Sequence, residues 1–299
     1  NIYKMILAYC LWTKTHYKKF EEFDGIKIAD IITKLKKNSV PRKAIEYSIP
    51  EWLAETLEKE LGSSWEREMV ALNEQAPTIL RVNTLKTTPR ELISDLKVEG
   101  VESFPIKNYP DAIQLEMKKN VFLTTAFKDG LFEVQDASSQ KIGELLDVKE
   151  GMRVVDACAG AGGKTLHLAA LMKNKGQIIA LDIYEWKLAE LKRRAKRAGA
   201  HNIETRMIDD NKVIKRLHEK ADRLLIDSPC SGLGVLKRNP DSKWKIDQAF
   251  IDRIKKEQEK ILQDYSKILK KGGKMIYATC SILPSENNEQ VETFLKTTM

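Results

Sequence analysis

Short apolar runs alternate with amphipathic stretches through the second half of the chain, and this alternation predicts an α/β domain. Each apolar run has the length of a buried strand, and the stretches between runs have the periodicity of a helix. We predict strands at 153–156, 178–182, 204–208, 222–227 and 274–279, and helices at 165–173, 185–198, 211–219 and 247–270. This order is typical of a doubly wound, mostly parallel, Rossmann-like sheet with helices on both faces.

A different pattern precedes this domain and predicts a small α/β module over residues 76–134. We predict its strands at 78–86 and around 113–115 and 131–134, and its helix at 88–100. Arg81 and Asn83, two positions apart, lie on the first of these predicted strands. Either could meet a phosphate or a base, and Arg81 is equally suited to pairing with an acidic neighbour.

The first 75 residues have apolar positions at helical spacing and no catalytic signal, so we predict an N-terminal helical region. Pro41 and Pro50 interrupt it. Pro50 suits the first turn of a helix that ends near Leu61, before Gly62. The remaining residues, 135–299, form the third predicted domain.

The glycine-rich segment 151–165, GMRVVDACAGAGGKT, predicts a strand, a tight turn and a helix whose first N–H groups face a ligand. A P-loop needs a glycine six positions before its lysine, but Cys158 stands there before Lys164. The dinucleotide pattern also fails, because Thr165 occupies its last glycine position. An ordinary strand-to-helix turn remains the alternative to a cofactor site.

Aspartates stand at or just past four predicted strand ends, which is where ligands bind in a doubly wound sheet. They are Asp156, Asp182, Asp209 and Asp227. Asp182 follows the glycine-rich turn by about twenty positions, where a carboxylate can accept hydrogen bonds from two ribose hydroxyls. An adenosine-containing cofactor without a pyrophosphate fits this arrangement best.

Composition and cysteine spacing narrow the class of protein. A chain of 299 residues is long enough for about two or three domains. No apolar run has the length of a membrane span, so we expect a soluble protein with no membrane partner. Cys10, Cys158, Cys230 and Cys280 lie far apart, which argues against a metal site or a disulfide framework and for the cytoplasm. Because the chain begins at Asn1, we expect a fragment.

Charge is unevenly distributed along the chain, whose net charge is +8. Residues 51–150 hold 12 basic and 19 acidic side chains, whereas residues 151–299 hold 29 basic and 19 acidic ones. A basic cofactor domain suits a polyanionic substrate such as nucleic acid, although lysine-rich surfaces are often only solvated. We interpret the basic residues of the predicted helix 185–198 as such a solvated face. They are Lys187, Lys192, Arg193, Arg194, Lys196 and Arg197.

Two cysteines stand just beyond predicted strand ends, in LLIDSPCSGLG and MIYATCSILP. Neighbouring strands are about 4.8 Å apart, so Cys230 and Cys280 can reach one pocket. A single buried cysteine is usually an inert apolar side chain, but a thiolate near Lys164 is a strong nucleophile. Adding it to carbon 6 of a pyrimidine makes carbon 5 able to accept a methyl group, and a second group must then remove the carbon-5 proton.

Four motifs resemble, in order and spacing, the Nop/Sun family of RNA cytosine-5 methyltransferases, which use S-adenosylmethionine. They are DACAGAGGKT, LDIYEWKLAELKRRAKRAG, LLIDSPCSGLGVLKRNPDSKW and IYATCSILPSENNEQV. With YSIPEWL, LRVNTLK and FEVQDASSQ upstream, the resemblance covers about residues 47–295. It implies that Cys280 is the nucleophile and that Cys230 assists product release.

The resemblance also implies where the cofactor binds. The implied turn residues are Cys158, Ala159, Gly160, Ala161, Gly162, Gly163 and Lys164. Asp182 would bind the ribose, Asp209 would lie near the adenine, and Asp227 would lie beside the methionine end and hydrogen-bond the cytosine. Lys164 would orient that aspartate.

Three further features of the family concern the RNA-binding side, the cofactor turn and the end of the domain. The family segment around Arg238, Pro240 and Asp241 lines the RNA side. The family usually reads CAAPGGKT, so Gly160 and Ala161 predict a looser turn and a weaker hold on the cofactor. The family domain usually continues into a final pair of strands, which we expect to be missing after Met299.

The leading hypothesis is a monomeric S-adenosylmethionine-dependent RNA cytosine-5 methyltransferase. The favoured substrate is 16S rRNA, and tRNA stays open because the region before YSIPEWL is short for a bacterial rRNA enzyme. Residues 76–134 would then be an RNA-binding module. A non-catalytic RNA-binding or assembly factor is the alternative, and an NAD-dependent oxidoreductase is disfavoured by the failed dinucleotide pattern.

Overall fold

The computed structural model describes residues 2–13, 21–23, 25–37 and 43–298. They form two compact units, Asn1–Thr56 and Leu57–Met299. The first helices are α1 (Ile2–Thr13), α2 (Ile28–Lys37), α3 (Lys43–Glu46), α4 (Glu51–Leu61) and α5 (Trp65–Asn73). The predicted helix between Pro50 and Gly62 is confirmed as α4, whereas Pro41 lies outside the described residues. No helix among the described residues is both long and apolar enough to cross a membrane.

A four-stranded antiparallel sheet forms the small α/β module, in the order β2-β3-β1-β4. Its elements are β1 (Ile79–Val82), α6 (Pro89–Val98), β2 (Ser103–Ile106), β3 (Tyr109–Leu115), α7 (Thr125–Lys128) and β4 (Phe132–Val134). A capping box begins α6, because Thr88 and Glu91 each accept a hydrogen bond from the other's backbone N–H. Strand β2 was not predicted. It is a half-exposed edge strand that contains Pro105, and such strands lack an apolar alternation.

A five-stranded parallel sheet forms the rest of the second unit, in the order β7-β6-β5-β8-β9. Its strands are β5 (Arg153–Asp156), β6 (Gln177–Asp182), β7 (Ile203–Met207), β8 (Ala221–Asp227) and β9 (Leu269–Ala278). Its helices are α8 (Ala137–Leu146), α9 (Gly163–Leu171), α10 (Glu185–Ala198), α11 (Asn211–Lys215), α12 (Gln248–Tyr265) and α13 (Asn288–Thr298). The predicted doubly wound fold is confirmed.

Both faces of the parallel sheet are buried under helices, which explains why its strands are continuous apolar runs. Successive residues of β5 point to opposite faces. Val154 packs with Leu168 and Leu188 of α9 and α10, and Val155 packs with Leu262 of α12. The strand order reverses at β5, so its carboxyl end opens into the crevice where such sheets bind ligands.

Arg81 and Asn83 join the small module to the parallel-sheet domain. The Arg81 side chain is buried, and its Nη1 donates to Gln135 Oε1 and to the Gly163 carbonyl, both at 2.5 Å. The Asn83 amide is also buried and donates to the Ala198 carbonyl at 2.8 Å. Neither side chain is therefore available to a phosphate or a base, and both instead hold the two sheets together.

Two basic residues of α10 are structural, so the interpretation of that helix as a solvated face is wrong for them. Arg194 and Arg197 donate to the buried Glu133 carboxylate of β4 at 2.9 and 2.5 Å. Arg193, by contrast, is exposed and pairs with Glu190 one helical turn away. The sequence pattern could not separate these cases, because the acidic partner lies about sixty residues away.

Candidate active site

A cavity of about 530 Å³ lies beyond the carboxyl ends of the parallel strands. Asp182 and Asp227, which end β6 and β8, and Cys158 and Gly160 of the turn after β5 contribute to its wall. Apolar and aromatic side chains from other elements form much of the rest of the wall, among them Ile183, Tyr184, Ile208, Phe250, Ile254, Ile261 and Tyr265. Charged side chains also line it, namely Lys187, Arg253, Glu257, Lys260 and Asp264. Apolar walls with a few convergent polar groups are typical of a pocket for a small organic molecule.

The turn between β5 and α9 requires glycine. Gly162 has a φ of +87°, and a Cβ there would lie 2.5 Å from Leu191 Cγ of α10. Gly160 also has a positive φ, of +55°. The Ala161 carbonyl accepts a hydrogen bond from Arg194 Nη1 at 2.7 Å, which holds this turn although it lacks the family's proline.

Asp182 ends β6 and presents a fixed carboxylate to the cavity. Its Oδ2 accepts from the Gly160 N–H and its Oδ1 from the Tyr184 N–H, both at 2.8 Å. Each oxygen has two lone pairs, so each can accept a further hydrogen bond. The backbone thus orients the carboxylate for a ligand with two hydroxyl groups.

The other predicted cofactor residues take different places. Ala159, Ala161 and Gly162 build the turn, and Gly163 and Lys164 begin α9. The described cavity wall includes none of these five residues. Asp209 is exposed two residues beyond β7, and at this point the cavity wall is formed by Ile208.

Asp156, the remaining strand-end aspartate, is buried below the turn and accepts from Thr165 Oγ1 at 2.7 Å. Burial raises the pKa of its carboxyl from 3.8 to about 7. It therefore acts within the protein interior, beneath the site.

Lys164 and Asp227 form an ion pair at the rim of the cavity. Lys164 Nζ lies in the first turn of α9, 2.5 Å from Asp227 Oδ2 at the end of β8. Both side chains are partly exposed, so the pair can meet a ligand that enters from solvent.

The two cysteines predicted to lie close together do so, although neither lines the described cavity. Cys230 follows β8 and Cys280 follows β9, and these strands are paired neighbours. Their sulfurs are 3.2 Å apart. The hydrogen bond from the Cys230 thiol lowers the pKa of Cys280, and the same bond, with burial, raises the pKa of Cys230. Cys280 is therefore the sulfur of the pair that ionises more readily, and it is also the more exposed of the two.

Arg238 and Asp241 follow this region on the loop after Cys230. Arg238 Nε donates to Asp136 Oδ2 at 2.6 Å, and its Nη2 donates to the Pro77 carbonyl at 2.9 Å. Asp241 is exposed and pairs with Lys245. Arg238 thus fastens its loop to the start of α8 and to the segment before β1.

One buried acidic residue of the site was missed from the sequence. Glu286 has no exposed surface and accepts hydrogen bonds from Ser231 and Ser281, the residues that follow the two cysteines. The motif that contains Cys280 also contains this glutamate, as SENN. That proximity was the available signal, but it does not reveal burial.

Two family models match the chain. One is described as 16S rRNA methyltransferase RsmB/F and matches residues 144–299. The other is the ferredoxin-like domain of RsmF/B-like methyltransferases and matches residues 49–122.

Individual proteins match as well. Ribosomal RNA small subunit methyltransferase B of Proteus mirabilis is 36% identical over 83% of this chain and 59% of its own length. The protein of that name from Yersinia enterocolitica is 37% identical over 84% and 58%. The solved structure of a methyltransferase homologue from Pyrococcus horikoshii is 29% identical, with a TM-score of 0.74 over 85% of this chain and 81% of its own. The chain thus spans about three fifths of the length of these curated relatives.

Proposed function

Because this chain belongs to the RsmB/F family of 16S rRNA methyltransferases, we propose that it methylates carbon 5 of a cytosine in RNA, with S-adenosylmethionine as the methyl donor. The observation that carries the proposal is the pair of sulfurs 3.2 Å apart, one of them on the residue that directly follows Pro229 of the cavity wall. A thiolate with a thiol donor beside it is the nucleophile that a pyrimidine ring requires at carbon 6.

The cavity fits S-adenosylmethionine. Asp182 would accept hydrogen bonds from both ribose hydroxyls, since each oxygen of its carboxylate faces the cavity and has one lone pair that the backbone does not use. Ile183, Tyr184 and Ile208 supply the apolar wall that an adenine needs. Asp227 is close enough to Cys280 for its charge to act on that thiol, and the methionine end would bind beside it. When bound, the cofactor supplies an electrophilic methyl group.

The residues of this chain would act in sequence. The Cys280 thiolate adds to carbon 6 of the cytosine, and the electron pair of the ring makes carbon 5 nucleophilic. Asp227, held by Lys164, hydrogen-bonds the edge of the base. After methylation, Cys230 would lose its thiol proton to solvent and accept the carbon-5 proton. The electron pair of that C–H bond would restore the ring double bond and expel Cys280 from carbon 6 as a thiolate.

The relatives named as ribosomal RNA methyltransferases favour 16S rRNA as the substrate. The first experiment therefore incubates the protein with S-adenosylmethionine and either unmodified 16S rRNA or a tRNA pool, and reads 5-methylcytosine by bisulfite sequencing. We expect methylation of the rRNA. Methylation of tRNA alone would show that tRNA, and not 16S rRNA, is the substrate. Absence of methylation in both RNAs would favour a non-catalytic RNA-binding factor.

The second experiment separates the two cysteines. Cys280→Ala should abolish methylation and leave no covalent complex. Cys230→Ala should still attack and methylate, then accumulate a protein–RNA complex that survives denaturing electrophoresis and migrates above the 34.2 kDa chain. A complex trapped by Cys280→Ala alone would exchange the two roles, and full activity in both variants would exclude covalent catalysis.

A further inference from the structure

The loops that carry Cys230 and Cys280 are bridged by one buried carboxylate. We infer that Glu286 is a positioning residue that sets the distance between the two sulfurs. This inference rests on the proposed function, and it assigns to Glu286 a role that acts through the cysteines and without contact with RNA.

Four donors saturate the Glu286 carboxylate. Its Oε1 accepts from the hydroxyls of Ser231 and Ser281, the latter at 2.6 Å. Its Oε2 accepts from the Ser231 N–H at 2.8 Å and from Gln258 Nε2 of α12 at 2.9 Å. A carboxylate with no exposed surface is costly to bury, and these four hydrogen bonds compensate it.

The donors belong to different segments. Ser231 follows Cys230 directly, and Ser281 follows Cys280 directly, so one side chain binds the residues next to both sulfurs. The Ser231 and Ser281 hydroxyls also lie 3.1 Å apart. A shift of either loop would therefore break hydrogen bonds to the shared carboxylate.

Other contacts keep the Cys280 loop folded independently of Glu286. Asn287 Nδ2 donates to the carbonyls of Ser281 and Leu283, both at 3.0 Å. The Gly234 N–H donates to the Cys280 carbonyl at 2.8 Å. We therefore expect a Glu286 variant to fold and to change the fine spacing of the sulfurs.

That spacing matters because the Cys230 thiol stabilises the Cys280 thiolate by a hydrogen bond, and such bonds weaken steeply as distance and angle depart from ideal values. The other charged groups that face Cys280 are Lys164, which favours the thiolate, and Asp227, which opposes it. Neither contacts Glu286. Removing the Glu286 charge would by itself favour the thiolate and lower the pKa of Cys280, so a rise in that pKa would come from the weakened hydrogen bond of the thiol.

The test replaces Glu286 with its isosteric amide. In Glu286→Gln, an NH2 group replaces one carboxylate oxygen. That NH2 group cannot accept hydrogen bonds from the two donors that faced the oxygen, so two of the four hydrogen bonds are lost. The matched control is Glu289→Gln, the same change three residues on at an exposed site in the first turn of α13. The readouts are the rate of Cys280 alkylation by iodoacetamide against pH, measured by peptide mass spectrometry, and the kcat for methyl transfer.

We expect the pH midpoint of Cys280 alkylation to rise in Glu286→Gln and kcat to fall by about tenfold or more. S-adenosylmethionine binding should be unchanged, and Glu289→Gln should match the wild-type protein. If Glu286→Gln does not fold, Ser281→Ala removes a single donor, and it should shift the midpoint in the same direction by less.

A wild-type midpoint in folded Glu286→Gln, or a loss of kcat that only follows the folded fraction, would overturn the inference. The alkylation readout needs no methylation. A shifted midpoint in a protein that methylates no RNA would therefore sink the proposed function and leave the role of Glu286 intact.

Discussion

At the scale of single residues, the site depends on carboxylates whose surroundings differ. Asp182 is oriented by two backbone N–H groups and faces the cavity, whereas Asp156 is buried beneath the turn. Each of them is the last residue of a strand, and the two strands are parallel neighbours. The same residue type thus faces a cavity at one strand end and is an interior group at the next.

We predict that Asp182→Ala weakens S-adenosylmethionine binding by about 1–3 kcal/mol, the usual cost of leaving buried hydrogen-bonding partners unpaired. Isothermal titration measures the dissociation constant. RNA affinity should change little, and Asp209→Ala should cost less because Asp209 is exposed outside the cavity wall. An unchanged dissociation constant in Asp182→Ala would remove this residue from the site.

Asp156 predicts a pH dependence of stability. Its pKa is about 7 in the folded protein against an ordinary value of 3.8, so the folded chain binds this proton more tightly than the unfolded chain does. The free energy of unfolding should therefore fall as pH rises between these two values.

Between pH 5 and pH 8, we expect the wild-type protein to lose about 2–3 kcal/mol more than Asp156→Asn, which cannot titrate. Urea unfolding of both proteins at the two pH values measures this difference. Parallel pH profiles would contradict the assignment.

At the scale of elements, β4 and α10 are joined through Glu133, which binds Arg194 and Arg197. Arg194 also holds the Ala161 carbonyl of the glycine-rich turn, and Arg81 of β1 holds that of Gly163. The small module therefore supports the cofactor turn directly. This support offers a physical reason why the module and the methyltransferase domain occur together.

Glu133→Gln should destabilise the protein by about 3–5 kcal/mol, because it leaves two partly buried guanidinium groups without their counter-charge. The control is Glu190→Gln, which breaks the exposed pair with Arg193 and should cost at most about 1 kcal/mol. Chemical denaturation measures both. If both variants lose the same free energy of unfolding, the ion pairs of Glu133 stabilise the protein no more than the surface pair does.

At the scale of the whole molecule, the net charge of +8 and the basic parallel-sheet domain suit a polyanion. Lysine and arginine contacts to phosphates release counterions when RNA binds. We predict that affinity for a 16S rRNA fragment falls by about tenfold or more between 50 and 200 mM salt. Filter binding at several salt concentrations measures the slope, and a flat response would argue against a nucleic-acid substrate.

The sequence alone determined the alternation of strands and helices from β5 to β9, the strand ends next to Asp182, Cys230 and Cys280, and the glycine-rich turn, whereas helix α8 was not predicted. These features are local. Apolar runs, helical periodicity and glycine spacing report on neighbours a few residues apart. Boundaries were less certain, since the segment from Leu269 to Gly273 is glycine- and lysine-rich and hid the first half of β9.

Only the tertiary structure decided which polar side chains are buried and what they bind. In the sequence, nothing distinguishes Arg81, Arg194 and Glu286 from other charged residues. Each has a hydrogen-bond partner more than fifty residues away. A charge is buried only where folding brings enough donors or acceptors around it to replace water. Because those groups come from several distant segments, no local pattern predicts them, and the bridge between the two cysteine loops became visible only in the fold.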